Sequence, residues 1–183
     1  MPTINYIEPT IDNVGATISI SGQGFGNTQG SSYVRIGGSH APVVSWFDNQ
    51  VRVRVPDFSF AGQKTVELTI NNRTISNSSF SVAGPQASSY YPAGTISEDD
   101  TFTIYGSNFG IAADFEGSGA VTRSIEISGS GVYQSVTSVL SWSDTSISFK
   151  WPVPNTMLSN KTVSVTVKTG NYLSSTISNI TAD

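Results

Sequence analysis

Two blocks of this sequence occur twice, in the same order. Residues 17–26 read TISISGQGFG and residues 101–110 read TFTIYGSNFG; residues 45–56 read SWFDNQVRVRVP and residues 141–152 read SWSDTSISFKWP. Recurrence in order means two copies of one structural unit laid end to end. It divides the 183 residues into spans 1–84 and 85–183, each near the lower size at which a single core sustains a fold. A duplicated unit without a reactive residue set in either copy belongs with binding and building parts.

Within each copy the apolar residues alternate. Ile18 and Ile20, Val34 and Ile36, then Val51, Val53 and Val55, then Val66, Leu68 and Ile70, then Phe80 and Val82 mark the first copy. Phe102 and Ile104, Ile125 and Ile127, then Ile147, Phe149 and Trp151, then Val163, Val165 and Val167, then Ile177 mark the second. Period-two alternation is the pattern of strands buried on one face. Turn signals separate the runs, among them Asp12-Asn13, Gly24-Phe25-Gly26, Gly37-Gly38 and Asn71-Asn72. No segment carries helical apolar spacing over three turns. The pattern predicts an all-β chain of two consecutive immunoglobulin-like β-sandwich domains, about seven short strands each.

Composition narrows the chemistry. Cysteine is absent, which removes disulfides, thiolate metal sites and thiol nucleophiles. The opening residues MPTINYIEPT carry neither a basic region nor an apolar run, so no signal peptide is expected. No stretch reaches the length that spans a bilayer as a helix, and no membrane insertion is expected. The net charge of −4 is uneven: residues 1–84 hold five basic and five acidic groups, residues 85–183 four basic and eight acidic. That balance lacks the basic footprint of a nucleic-acid binder, and no nucleic acid is expected as a partner.

Matched positions differ by 84 at the first repeated block, by 91 at Ile125, by 96 at the second block and by 97 at Lys161. The second copy therefore carries inserted residues, chiefly within 111–124 and again within 130–140. Insertions collect in exposed loops, where partners are met. The loops of the second copy are therefore expected to face the variable partner and the first copy to dock to a larger particle, and deletion of Ala113–Val121 is expected to spare folding. The joint Ala83-Gly84-Pro85-Gln86 reads as a short, semi-rigid linker.

Each copy resembles the IPT/TIG domain, an immunoglobulin-like fold of plexins, Rel-type transcription factors and many bacterial and phage surface proteins. The resemblance rests on a lead-in with proline (Ile7-Glu8-Pro9; Tyr91-Pro92) and a strand running into SGQGFG or YGSNFG. It rests further on the strand end Val34–Gly38, on the SW-D block ending in Val-Pro or Trp-Pro, and on a late strand, residues 62–70. The motif residues read as fold-maintaining. Gly22, Gly26, Gly106 and Gly110 permit turn angles that a side chain forbids, and Asn108 is the best substitute for Gly24 where φ is positive. Phe25 and Phe109 plug the end of each sandwich, and Asp48 and Asp144 form Asx turns between two strands.

A search for reactive groups yields little. The single histidine, His40, falls in a turn and has no counterpart in the second copy; a triad needs a nucleophile and an orienting acid beside it. No catalytic residue, cofactor or metal is expected. Carboxylates cluster at Glu98, Asp99 and Asp100 and, more loosely, at Asp114 and Glu116; the first run is the candidate for calcium, solvated loop is the plainer reading, and neither cluster has EF-hand spacing. Interface candidates are Arg52 and Arg54 on one strand face with Arg35 nearby, since arginine is enriched at hot spots, and the inserted loop's Asp114, Phe115 and Glu116. Tyr90-Tyr91 and Trp151 read either as exposed aromatics or as core and joint packing, and Trp46 and Trp151 are the aromatics whose substitution would test sugar contact.

The resulting expectation is a non-enzymatic structural or interaction protein. The first choice is a phage virion component on the virion surface, a capsid decoration or a tail or baseplate accessory. Its partners would be other virion or surface proteins, with host surface glycans and a second copy of the chain as further candidates. The alternative is an adhesion or carbohydrate-binding module at a bacterial cell surface. A third reading takes the Rel-type resemblance as a DNA-binding or dimerisation module, against which the acidic balance argues.

Overall fold

A computed structural model describes residues 1–158 and 160–183, leaving aside the side chain of Leu158. The chain divides into two compact units, Met1–Ala83 with Ala113–Val121, and Gly84–Ala112 with Thr122–Asp183.

The first unit contains strands β1 (Thr3–Glu8), β2 (Ile11–Asn13), β3 (Thr17–Gln23), β4 (Tyr33–Ile36), β5 (Ser39–Ala41), β6 (Val43–Phe47), β7 (Gln50–Arg54), β8 (Gly62–Ile70) and β9 (Arg73–Ala83). They form one sheet in the order β1-β3-β7-β6 and a second in the order β2-β9-β8-β4-β5, with β2 parallel to β9. The alternation seen in sequence becomes the inner faces: Ile18, Ile20, Val51, Val53, Val34, Ile36, Val66 and Leu68 are all fully buried.

In the second unit lie β10 (Gln86–Tyr91), β11 (Thr101–Ser107), β12 (Arg123–Gly129), β13 (Val132–Ser135), β14 (Val139–Trp142), β15 (Ser146–Lys150), β16 (Lys161–Thr169) and β17 (Leu173–Ala182), with a short helix α1 (Asn155–Leu158). The orders β10-β11-β15-β14 and β13-β12-β16-β17 repeat those of the first unit. A parallel bridge between Ile96 and Ala182 stands where β2 stood. Where copy one places Ile18, Val53 and Val55 in its core, copy two places Phe102, Phe149 and Trp151. Phe102 packs on Tyr90 (ring centroids 5.3 Å), on Phe149 (5.4 Å) and on Trp151 (5.2 Å).

The structure corrects the reading of the final strand. A break in register between Val163 and Val165 re-phases β17, so Ile180 and Ala182 lie in the core while Ile177 is only half-buried. A bulge of this kind shifts which alternate residues face inward.

The repeated motifs turn out to be one device. Asp48 does not close an Asx turn between two strands as expected. Its carboxylate accepts the Gly26 amide (2.8 Å) and its carbonyl accepts the Phe25 amide (2.9 Å), while the Trp46 indole donates to the carbonyls of Phe25 (3.2 Å) and Gly26 (3.1 Å). Copy two repeats it with Asp144 on Gly110 (3.0 Å) and Phe109 (3.1 Å), and Trp142 on the Phe109 carbonyl (2.9 Å). The GFG turn and the SW-D turn thus tie each other down and hold a buried phenylalanine beneath them. Gly22 and Gly106 are needed for a different reason than the one read from sequence. Neither has a positive φ; a Cβ there would overlap the carbonyl oxygen of Thr3 or Gln86 and the ring of Phe25 or Phe109. Asn108, at φ 56°, takes the left-handed place that Gly24 holds at φ 74°.

The largest departure concerns the insertion. Segment Ala113–Val121, expected to face solvent and a partner, groups with the first unit, with Asp114 buried while Ala113 and Glu116 to Gly119 stay exposed. Arg54 donates to the carbonyl oxygens of Gly15 (3.0 Å), Ala113 (3.1 Å), Asp114 (3.3 Å) and Glu116 (2.7 Å). Asp114 is buried there, and a side chain at Gly119 would press on the Pro42 ring. The carbonyls of an irregular loop need donors once water is displaced, and the guanidinium fork supplies them in one plane.

Candidate binding cleft

The outer face of the β1-β3-β7-β6 sheet carries one polar and aromatic row. Tyr6 pairs with Ser21, Ser21 with Gln50, and Gln50 with Phe47, so the four residues form a single rung across four strands. The neighbouring rung Ile7, Ile20, Val51 and Trp46 points inward and is buried, which directs the Tyr6 rung outward. Strands lie about 4.8 Å apart, so the rung's ends are about 14 Å apart. At those ends Tyr6 and Phe47 are 56% and 58% exposed, while Ser21 between them is 8% exposed.

The result is a cleft of about 330 Å³ lined by Asn5, Tyr6, Ser21, Gly22, Phe47, Asn49 and Gln50. Local sequence explains its shape. A register shift between Ile4 and Tyr6 leaves Asn5 bulged, Gly22 has no side chain, and Ser21 is small, so the floor is low between two aromatic walls. The Gly22 amide donates to the Asn49 carbonyl (3.0 Å), fixing the loop that closes one end. The lining holds no charged group. Its amides and hydroxyl each offer both a donor and an acceptor.

The matching row in the second unit is Ser89, Tyr105, Ser146 and Ser143. Serines replace the two aromatic ends, and Tyr105, 44% exposed, stands where Ser21 leaves room. The rung with two aromatic ends is a feature of the first unit.

The residues singled out from sequence fall in several places. Arg52 is exposed on the same outer face, one rung from the cleft, on the row Glu8, Ser19, Arg52 and Ser45. Arg54 is occupied by the inserted segment, whose backbone rather than its Asp114 or Glu116 carboxylate receives the guanidinium. Arg35 is not near them: it lies on β4 in the opposite sheet, its guanidinium 5.5 Å from the Tyr33 ring centre. Phe115 is half-buried beside Asp114. His40 is on the short strand β5 rather than in a turn, exposed and stacked on Tyr33. Trp46 and Trp151, 8% and 0% exposed, are core residues and offer no platform to a sugar. Tyr90 stacks on Phe102, and of that pair only Tyr91 is exposed.

The acidic run does not converge. The Asp100 carboxylate caps the Ser97 amide (2.9 Å), and the Asp99 carbonyl receives the Lys150 ammonium (2.9 Å). Among the described residues no three of His, Cys, Asp and Glu gather as a metal site would need. An ion pair, Lys168 to Glu126 at 2.7 Å, bridges neighbouring strands, and its hydrogen bond holds the Lys168 ammonium above the usual lysine range.

Sequence reasoning did not find Tyr6, Phe47, Asn5, Asn49 or Gln50. Their signal was the polar side of strands whose apolar side marked the core, and in sequence they are spread from residue 5 to residue 50.

Two successive, mainly antiparallel sandwiches, one presenting an open aromatic and amide cleft, define a pair of immunoglobulin-like domains. The chain belongs to the IPT/TIG family, whose profile matches residues 2–83 and again 85–182. It is 37% identical over 76 residues to a cyclomaltodextrin glucanotransferase of Thermoanaerobacterium thermosulfurigenes, a match covering 42% of this chain and 10% of that protein. The chain thus spans about a tenth of the length of the curated relatives it matches. Among solved structures it is similar to the plexin A4 extracellular region, with a TM-score of 0.52 at 19% identity over 100% of this chain and 18% of that one. A surface glycan-binding protein from Prevotella bryantii aligns with a TM-score of 0.37 at 18% identity, over 96% of this chain and 41% of that one.

Proposed function

We propose that this chain is a non-enzymatic carbohydrate-binding module, and that a glycan lies in the cleft between Tyr6 and Phe47. The observation that carries the reading is the Tyr6–Ser21–Gln50–Phe47 rung: two exposed aromatic walls over a neutral floor of amides and hydroxyl. Sugar rings present apolar faces edged by hydroxyls, and this lining offers aromatic surface for the first and paired donors and acceptors for the second. Sequence relatives named for glucan transfer agree with such a ligand. The module would serve at a bacterial cell surface or as an appendage of a glucan-active protein. A phage virion role is set aside in favour of this alternative, because both the cleft chemistry and the relatives speak for a sugar.

Affinity electrophoresis in gels cast with soluble glucans tests the reading. The chain is expected to be retarded, and the Tyr6→Ala/Phe47→Ala double variant to migrate as it does in a gel without polysaccharide. Equal retardation of both proteins would show that the cleft is not the site.

A further inference from the structure

We infer that the cleft takes a short stretch of neutral oligosaccharide, one per chain, and that Ser21 is the residue whose size admits it. The inference rests on the carbohydrate-binding reading above and adds the class of sugar, the number of sites and the residue that decides both.

Charge selects the class. None of the seven lining residues is Asp, Glu, Lys, Arg or His, and a buried or half-buried carboxylate or sulfate requires a cation or several aligned donors to replace its hydration. The nearest arginine along this face, Arg52, is two residues along β7 from Gln50, about 7 Å away. It shares its rung with Glu8, so that row as a whole is neutral. A neutral hydroxyl, by contrast, both donates and accepts, and so do the side-chain amides of Asn5, Asn49 and Gln50.

Size selects the length. Ligand clefts run from about 300 to 1,000 Å³, and this one, at about 330 Å³, is at the small end. Its two aromatic walls stand at opposite edges of the sheet, so a bound stretch crosses the strands from Tyr6 to Phe47.

The second copy supplies the internal control. There the floor position carries Tyr105 and the wall positions carry Ser89 and Ser143. A tyrosine at the floor fills the space a sugar would use, and serines cannot stack. Duplication of the fold has therefore left one site, not two.

Isothermal titration of the full chain with maltoheptaose, cellohexaose and hexagalacturonate tests this. At least one neutral oligosaccharide should bind with a stoichiometry near one, and hexagalacturonate should bind at least about tenfold more weakly. Ser21→Tyr, which copies the second unit's floor, should weaken binding at least about tenfold, with the melting temperature unchanged. Ser21→Ala, which removes the hydroxyl but leaves the floor low, should weaken binding far less than Ser21→Tyr does. Should Ser21→Tyr fail to fold, Tyr6→Ala and Phe47→Ala decide, each expected to weaken binding about tenfold as truncation of an anchoring aromatic does. Two sites per chain, tighter binding of hexagalacturonate, or undiminished binding by a folded Ser21→Tyr would overturn the inference and leave the carbohydrate-binding reading standing. Absence of binding by all three oligosaccharides at millimolar concentration would overturn both.

Discussion

Replacing Arg54 with methionine keeps the side chain's apolar stem and removes the guanidinium that gathers four carbonyls. The bonds to Gly15 and Asp114 are partly buried, at 3.0 and 3.3 Å, and those to Ala113 and Glu116 are exposed. A hydrogen bond from a charged donor contributes about 1.5–3 kcal/mol when shielded and much less in water. Counting the Gly15 bond in full and the others in part gives a loss of about 2–3 kcal/mol from the first unit. For a unit of this size that lowers the melting temperature by roughly 10–20 °C. Hydrogen exchange of the intact chain reads the two units separately. Amides of β3, β7 and β8 should lose protection by about the same 2–3 kcal/mol, and those of β11, β15 and β16 should change by less than about 0.5 kcal/mol. Replacing Ala113–Val121 by a short glycine–serine linker should cost a similar amount, and combining it with Arg54→Met should add little, since both remove the same bonds. Unchanged protection of the first unit in either variant, or full additivity, would refute the account of Ala113–Val121 as part of that unit's structure.

Further outcomes follow from the same packing. Gly22→Ala should cost about 1–3 kcal/mol in urea denaturation, the range for overpacking; a neutral result would mean that β1 can move away from β3. Trp151→Ala should lose about 3–5 kcal/mol from the second unit, and glycan binding measured on the folded fraction should be unaffected. Asn108→Val should cost about 1–2 kcal/mol because a branched side chain resists the left-handed region, whereas Asn108→Gly should stay within about 1 kcal/mol of the parent. Lys168→Met should cost less than about 1 kcal/mol, the pair being only partly shielded. Because the Lys168 pKa is raised on folding, that contribution is complete below pH 10.5 and is lost as pH climbs through the raised value. Denaturation of parent and variant compared at neutral pH and above pH 11 should therefore show the difference shrinking.

The all-β class and most of the core were readable because burial on one face imposes a period of two, and the repeat let each copy check the other; sheet order was not, nor was the strand number, nine and eight among the described residues where about seven each were expected. Ile18, Val53 and Phe149 could be placed inward from their neighbours alone. Ile180 could not, because the bulge that re-phases β17 depends on pairing with β16. The glycine motif was legible as a turn, but why Gly22 must be glycine depends on how closely Thr3 of β1 approaches it. Asp48 and Gly26 are 22 residues apart, and their hydrogen bond exists only once two turns meet.

The sequence by itself determined the class of object: an all-β tandem of immunoglobulin-like units without cysteine chemistry or a basic surface, each copy's inner faces written in its own alternation. Tertiary structure decided what the outer faces do. Residues 6, 21, 47 and 50 have no local relation, and only the register of four strands places them in one row. It decided also that the inserted segment is held by Arg54, some sixty residues earlier in the chain. Core positions obey a local rule because they need only be apolar and inward. A binding cleft or a four-carbonyl clasp is a meeting of distant residues, and distance along the chain carries no sign of it.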